Sequence, residues 1–290
     1  MRVQDLYSTV TKALRSGGAL SLKPNIELEA NWIVEHYTEL NFLDRVRDPA
    51  KEISEIAANK AIEAAQRCLA GEPLAYILGY KEFFGLKFQV NSNVLIPRPE
   101  TELLVEWGLE WLQDHTTVMD ETRVLELGTG SGCIATALVK HFKGLRVVAV
   151  EKSPGALVVA KANAYAHGAQ NHIEFLNIDA ANVAQELNGQ SFDLILANPP
   201  YIDPNDTEIE ASVRDYEPAE ALFAMGGLSA VQSWLHAAAP LLKNHSALGF
   251  EIGARQGADA LKLVRDLNVF SKQYVLQDLS GRDRFVCGEK

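Results

Sequence analysis

The residues best placed to do chemistry in this 290-residue chain lie in one stretch, Asp193-Leu-Ile-Leu-Ala-Asn-Pro-Pro-Tyr-Ile-Asp203. Leu194 to Ala197 is an apolar run that ends in an amide, two prolines and a phenol. Such a run reads as a strand buried on both faces, as in a parallel sheet covered by helices. Pro199 and Pro200 lack a backbone N–H and fix φ, so the strand stops there. The stiff turn presents Asn198 and Tyr201 at the strand's carboxyl end, where open α/β sheets bind ligands. Asn-Pro is also plain turn punctuation, and the pattern alone leaves that reading open.

A second group surrounds Gly128-Thr129-Gly130-Ser131-Gly132, which follows the strand-like Arg123–Leu127 and precedes the helical Cys133–Lys140. Glycine lets the backbone turn sharply and lets a ligand approach it closely. The spacing departs from the dinucleotide fingerprint, whose last glycine falls where Cys133 stands. Taken alone, the loop can be a tight turn. Glu151 ends the next strand, where a carboxylate can take two ribose hydroxyls, or can simply sit near a helix start. Together the loop and Glu151 point to an adenosine-containing ligand without a demand for phosphate. The chain has no G-K-[ST] segment, which argues against a nucleotide triphosphatase. Asp179 can reach an adenine amino group with Ala180 beside the ring, or can cap the helix that follows. Glu126, inside its strand, must find partners in loop amides or a cationic ligand.

These features resemble class I methyltransferases, and Asn198-Pro-Pro-Tyr201 resembles the (Asp/Asn)-Pro-Pro-Tyr motif of enzymes that methylate amino and amide nitrogens. Further stretches are similar to the peptide chain release factor glutamine methyltransferase family: Pro73-Leu-Ala-Tyr-Ile-Leu-Gly79, Phe84-Gly-Leu-Lys-Phe88 and Leu95-Ile-Pro-Arg-Pro-Glu-Thr-Glu102. So are Leu127–Cys133, Asn198–Ile202, Glu251-Ile-Gly253 and Asp278-Leu-Ser-Gly-Arg-Asp-Arg284. The match runs from residue 73 to 287, whereas residues 1–72 match only in being helical. Glu151 stands where that family usually has aspartate, and Ala180 where some relatives carry an aromatic.

The resemblance implies S-adenosylmethionine as cofactor, held by Gly128, Thr129, Gly130, Ser131, Gly132, Glu151, Asp179, Ala180 and Asn198. It implies methylation of the glutamine amide in the Gly-Gly-Gln segment of class I release factors, with Asn198, Pro199 and Tyr201 catalytic. Pro200 joins these three in substrate binding. Arg98 and Glu100 either shape the substrate mouth or merely join two domains. The rival activities are glutamine methylation of a ribosomal protein and adenine-N6 methylation of nucleic acid. A rival of another kind is a non-catalytic module that binds S-adenosylmethionine, against which the intact amide motif speaks.

The elements that must position these residues follow from periodicity. Residues 1–78 read as a helical bundle, with Leu6, Val10, Ala13 and Leu14 in helical spacing, then Ile26, Ala30, Ile33, Tyr37 and Leu40. Ile53, Ile56, Ala57, Ile62, Ala65 and Cys68 extend that pattern, and Gly17-Gly18 and Asp48-Pro49 punctuate it. The bundle is either a stabilising cap or a docking surface for a macromolecular substrate. Residues 79–98 read as a β-hairpin linker, with Val94–Ile96 as a further short strand. Residues 99–290 alternate strands with helices and form the methyltransferase-like domain, an α/β doubly wound sheet. Strands are expected at 123–127, 146–150, 173–176, 192–197 and 247–252, with an antiparallel pair at 275–278 and 284–287 closing the chain.

Net charge is −11, which disfavours nucleic acid as a direct partner. Cys68, Cys133 and Cys287 lie far apart and form neither a disulfide framework nor a zinc site. With no signal peptide and no long apolar run, a cytoplasmic monomer without membrane association is expected.

Overall fold

The computed structural model describes residues 1–16, 25–116 and 121–290, so the Gly17-Gly18 punctuation lies outside the described residues. The chain divides into two compact units, Met1–Gly79 with Glu210–Tyr216, and Tyr80–Ile209 with Glu217–Lys290.

The first unit is helical: α1 (Val3–Arg15), α2 (Ile26–Thr38), α3 (Phe42–Arg47), α4 (Glu55–Leu69) and α5 (Leu74–Leu78). Leu6, Val10 and Leu14 of α1 meet Ala30, Ile33 and Val34 of α2 in its core. The face that α4 contributes is Ala58, Ala61, Ala64, Ala65 and Cys68. Of the spacing expected from sequence, Ala65 and Cys68 belong to this face, and Ile62 and Ile53, which precedes α4, pack against the core, whereas Ile56 is 71% exposed. Small side chains let neighbouring helices approach closely, so the buried stripe carries little of the hydrophobicity that signals a core from sequence.

The second unit opens with a hairpin, β1 (Tyr80–Phe83) and β2 (Leu86–Gln89). Phe83 and Phe88 are buried in the same core cluster as the large sheet, so the residues read as a linker are part of this unit's packing. Asn163, fully buried, holds β2 by accepting from the Gln89 N–H and donating to its carbonyl. Val94–Ile96, expected as a strand, is not part of any strand among the described residues. The Ile96 N–H goes instead to the buried Glu217 carboxylate at 3.1 Å, and Pro97 has no N–H to give.

The remaining elements are α6 (Thr101–His115), β3 (Arg123–Leu127), α7 (Cys133–His141), β4 (Arg146–Val150), α8 (Pro154–Ala166), β5 (Ile173–Leu176), α9 (Val183–Glu186) and β6 (Phe192–Ala197). There follow α10 (Ala211–Tyr216), which belongs to the first unit, α11 (Ala219–Leu222), α12 (Ser229–Ala238), β7 (Leu242–Glu251), α13 (Gly257–Asp266), β8 (Lys272–Gln277) and β9 (Asp283–Glu289). The strands form a sheet of order β5-β4-β3-β6-β7-β9-β8, parallel from β5 to β7 and antiparallel at β9 and β8. β7 starts at Leu242 and not at Ala247, because its first residues, Lys243 to His245, have none of the apolar character that marks the rest.

Successive residues of the central strands point to opposite faces. Leu194 and Leu196 pack with α6 and α7, whereas Ile195 and Ala197 pack with α12 and α13. Each fully buried leucine or isoleucine contributes about 1.5–3 kcal/mol. The chain order reverses at the β3–β6 pair: β4 and β5 lie to one side, β7 to the other. The carboxyl ends of β3 and β6 therefore flank the crevice where doubly wound sheets take ligands.

Candidate active site

The glycine loop leaves the end of β3 with Gly128, Gly130 and Gly132 all at positive φ. A Cβ on Gly128 would lie 2.7 Å from the Trp234 ring, whereas above Gly130 the space is open, with nothing nearer than 4.0 Å. The Gly130 N–H donates to Glu151 Oε2 at 3.0 Å, and the Ser153 N–H to Glu151 Oε1 at 2.9 Å. Each carboxylate oxygen keeps a free lone pair after these bonds, so Glu151 can still accept from two hydroxyls.

Glu126, 1% exposed, accepts from Thr129 Oγ1 at 2.6 Å and from the Ala135 N–H at 3.2 Å. Both donors, a loop hydroxyl and an amide of α7, go to Oε2, and because Glu126 lines the same cavity as the glycine loop, the cationic ligand weighed from sequence stays open to it. Burial pushes its carboxyl up to about 8, against the pull of those two hydrogen bonds, with Glu151 adding like charge. Asp179 caps the turn after β5 by accepting from the Ala181 N–H at 2.9 Å. It also lines the same cavity as the glycine loop, with buried Ala180 beside it.

That cavity measures about 960 Å³. Among the residues singled out from sequence, Gly128, Thr129, Gly130, Ser131, Glu151, Asp179, Ala180, Asn198 and Pro200 line it. Gly132, Pro199 and Tyr201 do not. At Gly132 a Cβ would come within 3.1 Å of Ala160, so its part is close packing of the loop against α8.

At the end of β6, Asn198 Nδ2 donates to Thr101 Oγ1 at 3.1 Å, and Thr101 donates to Glu251 Oε2 at 2.6 Å. The Tyr201 hydroxyl donates to the other oxygen of Glu251 at 3.0 Å. Glu251, 1% exposed, is pushed by burial up to about 7, a shift opposed by these two donors. Burial beside the Glu251 charge also raises the Tyr201 phenol, which stays protonated at any ordinary pH. The Tyr201 carbonyl accepts from Gln256 Nε2 at 2.9 Å, which pins the turn from a second side. Arg98 lines the cavity and pairs with Glu217 at 2.6 Å. Sequence reasoning gave no site role to Thr101, Glu217, Trp234 or Glu251: Thr101 and Glu251 stand in stretches that carry the family resemblance, but 150 residues separate them and nothing in the sequence joins them.

A glycine loop at the switch point, a carboxylate ending the next strand and an amide-bearing turn after β6 define a class I methyltransferase fold. Residues 102–246 match the family described as Methyltransferase small domain, and residues 6–79 match PrmC N-terminal domain. The Release factor glutamine methyltransferase of Nitratidesulfovibrio vulgaris is 37% identical, covering 91% of this chain and 88% of its own length. That of Enterococcus faecalis is 40% identical, covering 76% and 77%. Among solved structures, the N-terminal domain of human METTL16 in complex with SAH shares the fold, with a TM-score of 0.54 at 17% identity over 92% of this chain and 95% of that one. The chain belongs to the release factor glutamine methyltransferase family. No helix among the described residues is long and apolar enough to cross a membrane.

Proposed function

We propose that this enzyme transfers a methyl group from S-adenosylmethionine to the side-chain amide nitrogen of the glutamine in the Gly-Gly-Gln segment of class I peptide chain release factors. The observation that carries the reading is the orientation of Asn198: its NH₂ end is engaged by Thr101, and its oxygen accepts no hydrogen bond among the described residues. The backbone carbonyl of Pro199 likewise accepts none among the described residues.

The cavity fits the cofactor. Gly130 offers an open backbone surface, Glu151 has lone pairs for ribose hydroxyls, and Asp179 with Ala180 is placed for an adenine edge and face. When bound, S-adenosylmethionine supplies an electrophilic methyl on a sulfonium centre. A carboxamide nitrogen is a poor nucleophile because its lone pair is delocalised into the carbonyl. Asn198 Oδ1 and the Pro199 carbonyl accept the two amide hydrogens and fix the nitrogen facing the methyl donor. Positioning of this kind is worth up to roughly 7–11 kcal/mol in favourable cases. The same two oxygens meet the positive charge that grows on nitrogen, with no reorganisation at the moment of reaction. The surplus proton becomes acidic as the new bond forms, so no strong base is needed beforehand. Tyr201, its hydroxyl held by Glu251, stiffens the turn that carries both acceptors. The helical first unit serves as the docking surface for the protein substrate.

The test is methyl transfer from labelled S-adenosylmethionine to a purified class I release factor and to its Gly-Gly-Ala variant. Labelling of the first and not the second is expected. Labelling of both, or of neither, overturns the proposed acceptor.

A further inference from the structure

Thr101 is 2% exposed and bonds to two partners through one hydroxyl. A hydroxyl has a single proton. The ionised Glu251 carboxylate can only accept, so the proton goes to Oε2 at 2.6 Å. Lone pairs are all that Thr101 then offers Asn198, so the NH₂ end of the Asn198 amide must face it.

Tyr201 donates to the second oxygen of the same carboxylate, leaving Glu251 with a donor on each oxygen. We infer that Glu251 is a positioning residue for methyl transfer: by drawing the Thr101 proton, it holds the Asn198 amide with its oxygen turned to the substrate. This inference rests on the reading of Asn198 as the acceptor-side clamp. Glu251 itself touches neither substrate nor cofactor in that scheme.

The alternative arrangement explains why the orientation matters. When Glu251 carries a proton on Oε2, it donates to Thr101, and the Thr101 hydroxyl turns to donate to Asn198. The amide then flips, presenting N–H groups to a substrate that brings two N–H groups of its own. Thr101 faces Glu251 from α6 and Tyr201 from the turn after β6. The nearby charges are Glu100, just before α6, and Arg284 on β9, the latter tied to Asp278 at 2.8 Å. Burial outweighs the bonds from Thr101 and Tyr201, and the carboxyl titrates near neutrality, where an assay can follow it.

The experiment measures kcat, KM for release factor and cofactor affinity for wild type, Thr101→Val, Thr101→Ser and Glu251→Gln across pH. Thr101→Val, which keeps the shape and loses the hydroxyl, is expected to lower kcat about 10²-fold with cofactor affinity retained. Thr101→Ser restores most of that rate. Wild type shows an acid limb in kcat near pH 7, and Glu251→Gln shows a lower kcat without the limb. A Thr101→Val enzyme as fast as wild type, or a Thr101→Ser enzyme as slow as the valine variant, overturns the inference. Should Thr101→Val fail to bind cofactor, the Glu251→Gln profile decides, and an acid limb unchanged from wild type overturns it. A wild-type protein that binds cofactor yet leaves the Gly-Gly-Gln release factor unlabelled overturns the functional reading instead.

Discussion

The two ends of the cavity solve the same problem, a buried glutamate at the end of a sheet strand, in different ways. Glu126 at the glycine-loop end draws its donors from Thr129 and Ala135, three and nine residues away in the chain. Glu251 at the Asn198 end draws its donors from Thr101 and Tyr201, 150 and 50 residues away. A single β3–loop–α7 unit, with Glu151 on the neighbouring strand, therefore forms the first end. The second exists only once α6, β6 and β7 have come together. The difference implies a hierarchy: cofactor binding should survive damage to the acceptor end, while transfer should be lost with either.

The strongest way to break that comparison is Asn198→Ala. Loss of one preorganised acceptor is expected to lower kcat about 10²–10³-fold while calorimetry still detects S-adenosylmethionine binding. Loss of cofactor binding together with turnover would show that the two ends are not separable. Next in size is Glu217→Ala, which removes the partner of Arg98 and the acceptor of the Ile96 N–H. Glu217 is 5% exposed but Arg98 is partly open to solvent. Thermal unfolding is therefore expected to show a loss of about 2–3 kcal/mol, below the range for a fully buried pair. The KM for release factor should rise more than the cofactor dissociation constant. Gly130→Ala acts at the other end. Its φ of +54° costs an L-residue about 1–2 kcal/mol. The added methyl projects into open space above the loop, so titration is expected to show weaker cofactor binding.

The same contrast decided how much could be read from the sequence. The glycine loop and the strand-ending Glu151 are local patterns, and the alternation of strands and helices from residue 123 onward is written in hydrophobic periodicity. Asn198 and its prolines were visible as a strand end. What holds Asn198 was not, because a threonine opening a helix and a glutamate closing a distant strand carry no mutual signal until the fold joins them. The return of Glu210–Tyr216 to the first unit was hidden for a similar reason: it rests on long-range bonds such as that from the Tyr216 hydroxyl to the Ala70 carbonyl. Asn163 carries no signal of its own inside a helix that reads as ordinary, although it ties the hairpin and the Ser131 carbonyl together.

The finest distinction between the two ends is a pH window for stability. Glu126 has its folded-state value raised from 4.5 to about 8, and Glu251 from 4.5 to about 7. In both cases the folded protein holds the proton more tightly than the unfolded chain does. The contribution of each group is therefore fully present below pH 4.5 and is lost as pH rises, through about 7 for Glu251 and about 8 for Glu126. Melting temperature of the cofactor-free protein is expected to fall from about pH 4.5 to about pH 8 through these two groups. Glu251→Gln should remove its share of the fall between about pH 4.5 and 7, and Glu126→Gln its share over that range together with the remainder up to about pH 8, each a shift of a few degrees for a change of about 1 kcal/mol. Parallel curves for wild type and both variants would mean that the two carboxylates keep one charge state across the range. The acceptor end would then be set by packing alone, and the contrast between a locally bonded and a remotely bonded glutamate would have no energetic consequence.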